Sequence, residues 1–138
     1  MEATMHFSEY FAEAWSQPTP ERLVALLHDD VVLLQPHRPP LQGKAAAYRD
    51  FGRLLQWLPG LYGSVDRWVE NDDTAFIEWR LQLPLKKEIA SIPAVDRFLL
   101  KDGLGVERRV YFDQMLMNRI VAGHPELWKG AVRYRLGL

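Results

Sequence analysis

The alternation of apolar and polar positions changes period part-way along the chain. Over residues 4–16, Phe7, Tyr10, Phe11, Ala14 and Trp15 recur at helical spacing, with Glu9 and Glu13 on the other face, which predicts a first helix. Gln17-Pro18 ends it, because proline disfavours helical backbone at the residue before it. Thr19 then suits an N-cap, Pro20 the first helical position and Glu21 the positive helix end, so a short second helix follows with Leu23, Leu26 and Leu27. Asp29-Asp30 breaks that helix, and residues 31–35 read as a strand. Three prolines in PHRPPLQG remove ladder donors, so this segment is expected as loop. A third helix is expected over about 44–58, with Tyr48, Phe51, Leu54, Leu55 and Leu58 on one face and Pro59-Gly60 as its stop.

From residue 61 the period becomes two. Residues 61–70 predict a strand, Asn71-Asp72-Asp73 a turn, and 74–83 a strand alternating Ala75, Ile77, Trp79 and Leu81 against Phe76, Glu78, Arg80 and Gln82. Residues 88–100 and 104–113 predict a last hairpin, and Pro125 opens a C-terminal helix with Leu127, Trp128, Val132 and Leu136 on one side. Helices first and then a long antiparallel meander indicate an α+β fold with its helices on one face of the sheet.

The last hairpin carries the densest chemistry, because VDRFLLKDGLGVERRVYFD begins and ends near aspartates with arginines between them. Read as a three-residue loop, Lys101-Asp102-Gly103 places Gly103 in the left-handed position of a bulged turn. Leu100 then faces Leu104, Phe98 faces Val106, Asp96 faces Arg108, Ala94 faces Val110 and Ile92 faces Phe112. A two-residue loop would turn Val106, Val110 and Phe112 outward, and burial selects the register that hides them. On that register Asp96 points inward beside Arg108 and Asp113 points outward, so the two acids do not share a site. A guanidinium in reach favours the ionised carboxylate, whereas burial alone favours the neutral acid.

Composition narrows the classes. The 138 residues suit one domain, and 17 basic against 18 acidic residues give a net charge of −1, which is no footprint for nucleic acid or an anionic membrane. The exception is local, in the C-terminal run with Lys129, Arg133 and Arg135. The absence of cysteine excludes disulfides, thiolate metal sites and a cysteine nucleophile, and fits a cytoplasmic location. The apolar runs are too short for a membrane span, and the first residues lack the layout of a signal peptide. The four histidines show no metal-ligand spacing, and no phosphate loop or nucleophile elbow is present, so no metal or organic cofactor is implied.

FAEAW in the first helix, then HDDVVLLQPHRPPLQGKAAAYRDF, then VDRFLLKDGLGVERRVYFD, resemble in that order the nuclear-transport-factor-2-like superfamily, in particular its SnoaL-like branch. The resemblance covers about residues 5–115, leaving 116–138 as an extension expected to pack on the same domain or on a dimer partner. It implies an α+β cone: a curved antiparallel sheet wrapped on three helices around an apolar pocket, in a chain that commonly forms a homodimer. Trp68, Phe76 and Tyr111 are candidates for that surface. Functions on this fold range from cyclases, isomerases and hydrolases to binding modules, so the fold does not fix the activity.

In the ketosteroid isomerase branch, the resemblance places the oxyanion tyrosine near Tyr10 and the second oxyanion donor at Asp96. The base position holds Gln35, which cannot accept a proton at neutral pH. The epoxide hydrolase branch would need arginine where Ala94 stands. Candidate catalytic residues are therefore Asp96, Arg108, Tyr10 and the loop histidine His37. Trp15, Gln35, Trp79, Phe98 and Phe112 are expected around a small hydrophobic molecule, a polyketide-, steroid- or terpenoid-like compound. Two readings of Asp96 with Arg108 stand side by side, a structural ion pair or the polar centre of a pocket. Two readings of the protein follow them: a cofactor-independent cyclase, isomerase or hydrolase, or a non-catalytic ligand-binding or dimerisation module.

Overall fold

The computed structural model describes residues 5–36 and 38–138, so His37 lies outside the described residues. Helix α1 (Phe7–Ser16) buries Phe7, Phe11, Ala14 and Trp15, the stripe its spacing predicts. Its first turn is fastened by a residue far away in sequence. Glu70, the last residue of β3 (Tyr62–Glu70), accepts hydrogen bonds from the Ser8 amide at 2.9 Å, the Ser8 hydroxyl at 2.6 Å and the Phe7 amide at 3.3 Å. A carboxylate there satisfies amides that have no partner inside the helix and answers the positive end of its dipole. Burial alone would raise the Glu70 carboxyl, but the hydrogen bonds from Ser8, His6 and Phe7 outweigh it and hold it below its ordinary value.

Helix α2 (Pro20–Val24) is capped by the Thr19 hydroxyl, which accepts from the Arg22 amide at 3.1 Å. It ends earlier than expected, and β1 (Leu27–Leu34) starts at Leu27 instead of Val31. Tertiary pairing overrides the helical spacing there: Leu27 is buried opposite Gly105, whose amide donates to the Leu26 carbonyl at 2.9 Å. The proline-rich segment is loop except for the two-residue strand β2 (Leu41–Gln42), an edge strand against β1. Helix α3 (Lys44–Trp57) turns the expected face inward through Phe51, Leu54 and Leu55, with Leu58 just beyond its end, and only Tyr48 departs from it. Ala47, Asp50 and Phe51 are buried, while Tyr48 is exposed and hydrogen-bonded to Glu21.

The remaining strands are β4 (Thr74–Pro84), β5 (Ile89–Lys101) and β6 (Leu104–Phe112), followed by α4 (Gln114–Ala122), a 3-10 turn at Pro125–Leu127 and α5 (Trp128–Leu136). The sheet order is β2-β1-β6-β5-β4-β3. It curves without closing, as an α+β cone. The strands are antiparallel except for one pair, since β1 runs parallel to β6. The concave face packs Ala75, Ile77, Trp79, Ala94 and Phe98 against α1, α2 and α3. On the convex face Phe76 and Tyr111 are exposed, but Trp68 is not with them. A bulge after Val65 shifts the alternation of β3, so Trp68 pairs with Ile77 and turns inward onto the core and His6. Among the described residues no helix is long and apolar enough to cross a membrane.

Candidate functional site

The register of the last hairpin sets the inner wall. Asp102 and Gly103 both have positive φ, 54° and 77°, so the turn is a two-residue one, with Lys101 opposite Leu104 and Leu100 opposite Gly105. Aspartate tolerates the left-handed region, which makes the shorter loop accessible. Val106 is then an extra residue in β6, and beyond it Leu99 faces Glu107, Phe98 faces Arg108, Asp96 faces Val110 and Ala94 faces Phe112. The expected pairings are therefore wrong in register, and Gly105 takes the place opposite Leu100 expected for Leu104, yet from Arg108 onward the faces are as expected, because the bulge restores the alternation that the shorter turn would have reversed. Asp113 is exposed and caps α4, accepting from the Met115 and Leu116 amides.

Asp96 and Arg108 are thus diagonal neighbours on the concave face. Arg108 Nε donates to Asp96 Oδ2 at 2.6 Å, and Trp79 Nε1 donates to Oδ1 at 2.8 Å. Asp96 is completely buried and Arg108 is 5% exposed. Burial pushes the Asp96 carboxyl above its ordinary value, and the charge and hydrogen bond of Arg108, with that of Trp79, draw it back. Both carboxyl oxygens face N–H donors, the arrangement a carboxylate requires; a neutral acid would have to turn a hydroxyl toward one of them.

A cavity of about 440 Å³ opens between this wall, α3, α4 and α5. Five of the expected residues border it: Trp15, Gln35, Trp79, Arg108 and Phe112. Asp96 does not, since Trp79 and Arg108 stand between it and the space. Phe98 does not either; it is core, with its ring 4.6 Å from that of Phe7 and 5.7 Å from that of Phe11. Tyr10 sits at the edge of the buried stripe of α1, half-exposed, on a separate surface groove with Glu13, Arg22 and Leu104. Of the five, Arg108 carries the charge. Its Nε is taken by Asp96, and no hydrogen bond to its Nη groups is made among the described residues.

The carboxylate that does border the cavity is Asp50 of α3, which sequence reasoning missed. It is 1% exposed and forms an ion pair with Arg38, Nη1 to Oδ1 at 3.0 Å. Gln35 Nε2 donates to its Oδ2 at 3.3 Å, and the Tyr134 hydroxyl lies 3.4 and 3.5 Å from the two oxygens. Burial, and then the charge of Asp50, raise the Tyr134 phenol well above its ordinary value, so it stays a donor. The signal was present in the spacing. Asp50 stands three residues after Ala47 and four before Leu54, inside the apolar stripe of α3.

The outer wall comes from the C-terminal helices, through Met117, Val121, Trp128, Val132 and Tyr134 among others. They pack on their own chain. Tyr134 stacks on Trp57 with centroids 5.2 Å apart, and Trp57 Nε1 donates to the Leu127 carbonyl at 3.1 Å. The described residues bring no three potential metal-ligating side chains together.

The profile of the family described as SnoaL-like domain matches residues 7–108. No curated protein matches the chain by sequence. Among solved structures it is similar to a protein with a ketosteroid isomerase-like fold from Catenulispora acidiphila, solved with trimethylamine. The TM-score is 0.75 at 15% identity, over 90% of this chain and 97% of that one. It is also similar to a protein described as a SnoaL-like polyketide cyclase from Jannaschia, with TM-score 0.68 and 16% identity over 88% and 95% of the two chains. An LEH-like epoxide hydrolase from M. tuberculosis gives a TM-score of 0.67 and 20% identity over 96% and 94%.

Proposed function

The chain belongs to the SnoaL-like domain family, and on that premise we propose that it binds a small, largely apolar, oxygen-bearing molecule in this cavity and converts it by cyclisation, isomerisation or hydrolysis. One observation carries the reading: a guanidinium held rigid by a buried carboxylate faces a space walled mainly by Trp15, Trp79, Phe112 and the apolar side chains of α4 and α5. Fixed donors in a dry site stabilise negative charge developing on a substrate oxygen far better than water does. In this reading the Nη groups of Arg108 hold that oxygen. Asp96 is a positioning residue that fixes Arg108, and Asp50 is the carboxylate nearest a substrate proton. Polyketide cyclase and epoxide hydrolase relatives of this fold support a choice among those reactions.

The test is a thermal-shift screen of steroid, terpenoid and polyketide ligands, followed by mass spectrometry of the products. A stabilising ligand that is isomerised, cyclised or hydrated, with turnover lost in Arg108→Lys, supports the proposal; no stabilising ligand in any class overturns it. A second reading, binding without turnover, is favoured by the crowding of Asp50, whose oxygens are occupied by Arg38, Gln35 and Tyr134. A ligand that binds and emerges unchanged would establish that reading. The proposal extends to a homodimer through the convex sheet face, where Phe76 and Tyr111 are 48% and 51% exposed. Light scattering is expected to give twice the 16.0 kDa chain mass, falling to one chain in Phe76→Glu/Tyr111→Glu.

A further inference from the structure

The proposed reading leaves the ligand's charge open, and the charged groups around the cavity bear on it. Three charged side chains border the space, Asp50, Arg108 and Arg135. Asp50 is neutralised by Arg38, and Arg108 by Asp96. Arg135, near the end of α5, is exposed and has no carboxylate partner among the described residues. The cavity and its immediate partners therefore carry one surplus positive charge.

The same bias appears at the scale of the wall. From residue 114 onward the chain has Arg119, Lys129, Arg133 and Arg135 against a single acid, Glu126, in a protein whose net charge is −1. These helices form the outer wall of the cavity, and even with Asp113 capping α4 and Glu88 paired with His124 that wall keeps a basic excess, whose field a cleft with low-dielectric walls concentrates. Inside, Arg108 offers its Nη pair, because Nε is used by Asp96. A guanidinium edge of two parallel N–H groups matches a carboxylate, which accepts both, better than it matches a single carbonyl oxygen.

We propose that the ligand is an organic anion: an aromatic or polycyclic body carrying a carboxylate, whose charged end seats on Arg108 and is drawn in past Arg135. This rests on the reading of the cavity as a small-molecule site and specifies its substrate class. The aromatic walls suit the body, since Trp15, Trp79 and Phe112 provide ring faces, and Trp128 borders the space from α5. The basic C-terminal run, which the fold does not need for its core, thereby acquires a role in capture.

Two probes of nearly the same shape, 2-naphthoate and 2-naphthamide, separate charge from shape in a calorimetric titration. The acid is expected to bind about tenfold or more tightly than the amide, the ratio typical of a charge-assisted over a neutral hydrogen bond. Arg135→Glu lies on the exposed rim and leaves the core intact. It is expected to weaken naphthoate several-fold and leave naphthamide unchanged, and added salt should act in the same direction. Arg108→Gln alone strands Asp96 in the core, so the double variant Asp96→Asn/Arg108→Gln, which removes both charges together, is used to abolish the preference. Equal binding of acid and amide overturns the anion inference and leaves the cavity reading standing. A preference for the acid that survives both variants overturns the assignment to Arg108 and Arg135. Failure of both probes to bind at millimolar concentration overturns the anion inference and the cavity reading together.

Discussion

Arg108 is held in the interior by one carboxylate, and removing that partner is more damaging than removing the pair. Asp96→Asn leaves a guanidinium that is 5% exposed without a counter-charge, and a loss of about 3–5 kcal/mol is expected in urea denaturation. Replacing both residues, as Asp96→Leu/Arg108→Met, is expected to recover most of that loss, since two buried ions give way to apolar groups of similar volume. Equal destabilisation by the single and double variants would show that packing, and not charge, dominates. Glu70 provides a second residue-scale test. Its native value is depressed, so its contribution is complete above its unfolded value of 4.5 and fades as pH falls through the native value. Glu70→Gln is expected to cost about 1 kcal/mol at pH 7 and to flatten the acid limb of stability against pH. Asp96 acts in the opposite sense, because a raised native value makes its contribution decline as pH rises past 3.8. An acid limb unchanged by Glu70→Gln would remove Glu70 from the account.

At the scale of elements, the cavity has walls of unequal strength. β4 pairs with β5 along its whole length, whereas α4 buries none of its residues and α5 buries only Tyr134. Hydrogen exchange is expected to be markedly faster in α4 and α5 than in β4 and β5. Gly130 controls how closely α5 approaches α3, since a Cβ there would lie 2.3 Å from Trp57 Cδ1. Gly130→Ala is expected to displace α5, break the Tyr134 contact with Asp50 and speed exchange in that helix; no change would mean that Trp57 yields instead. The same inequality explains what the sequence revealed. The strands of the meander and the inward turn of Asp96 and Arg108 were legible because a strict period of two is enforced by burial. The register was not, because Asp102 can adopt the backbone of a shorter turn and one inserted residue then corrects the faces without any mark in the hydrophobic pattern. Asp50 was overlooked because α3 offers two overlapping apolar stripes, and only packing against β1 and α5 decides between them. That the cavity stops short of Asp96 depends on how Trp79 and Arg108 lie over it, which no spacing records.

For the whole molecule, the sheet order brings the first long strand beside the last one. Leu27 and Gly105 meet across more than half of the chain, while Asp96 and Arg108 lie on the two arms of one hairpin. These two kinds of contact form on different clocks. A hairpin closes in about 1–10 μs, but joining β1 to β6 must first overcome the closure entropy of the long intervening chain. The carboxylate and the guanidinium are therefore expected to meet while the hairpin is still in water, with the helices and β1 closing over a pair already made. Neither ion has to enter the interior alone. In refolding experiments Leu33→Ala, on β1, is expected chiefly to speed unfolding, whereas Val110→Ala, on the hairpin, slows folding. The reverse result would mean that the pair is assembled dry, and that its desolvation is a barrier on the path to the native state.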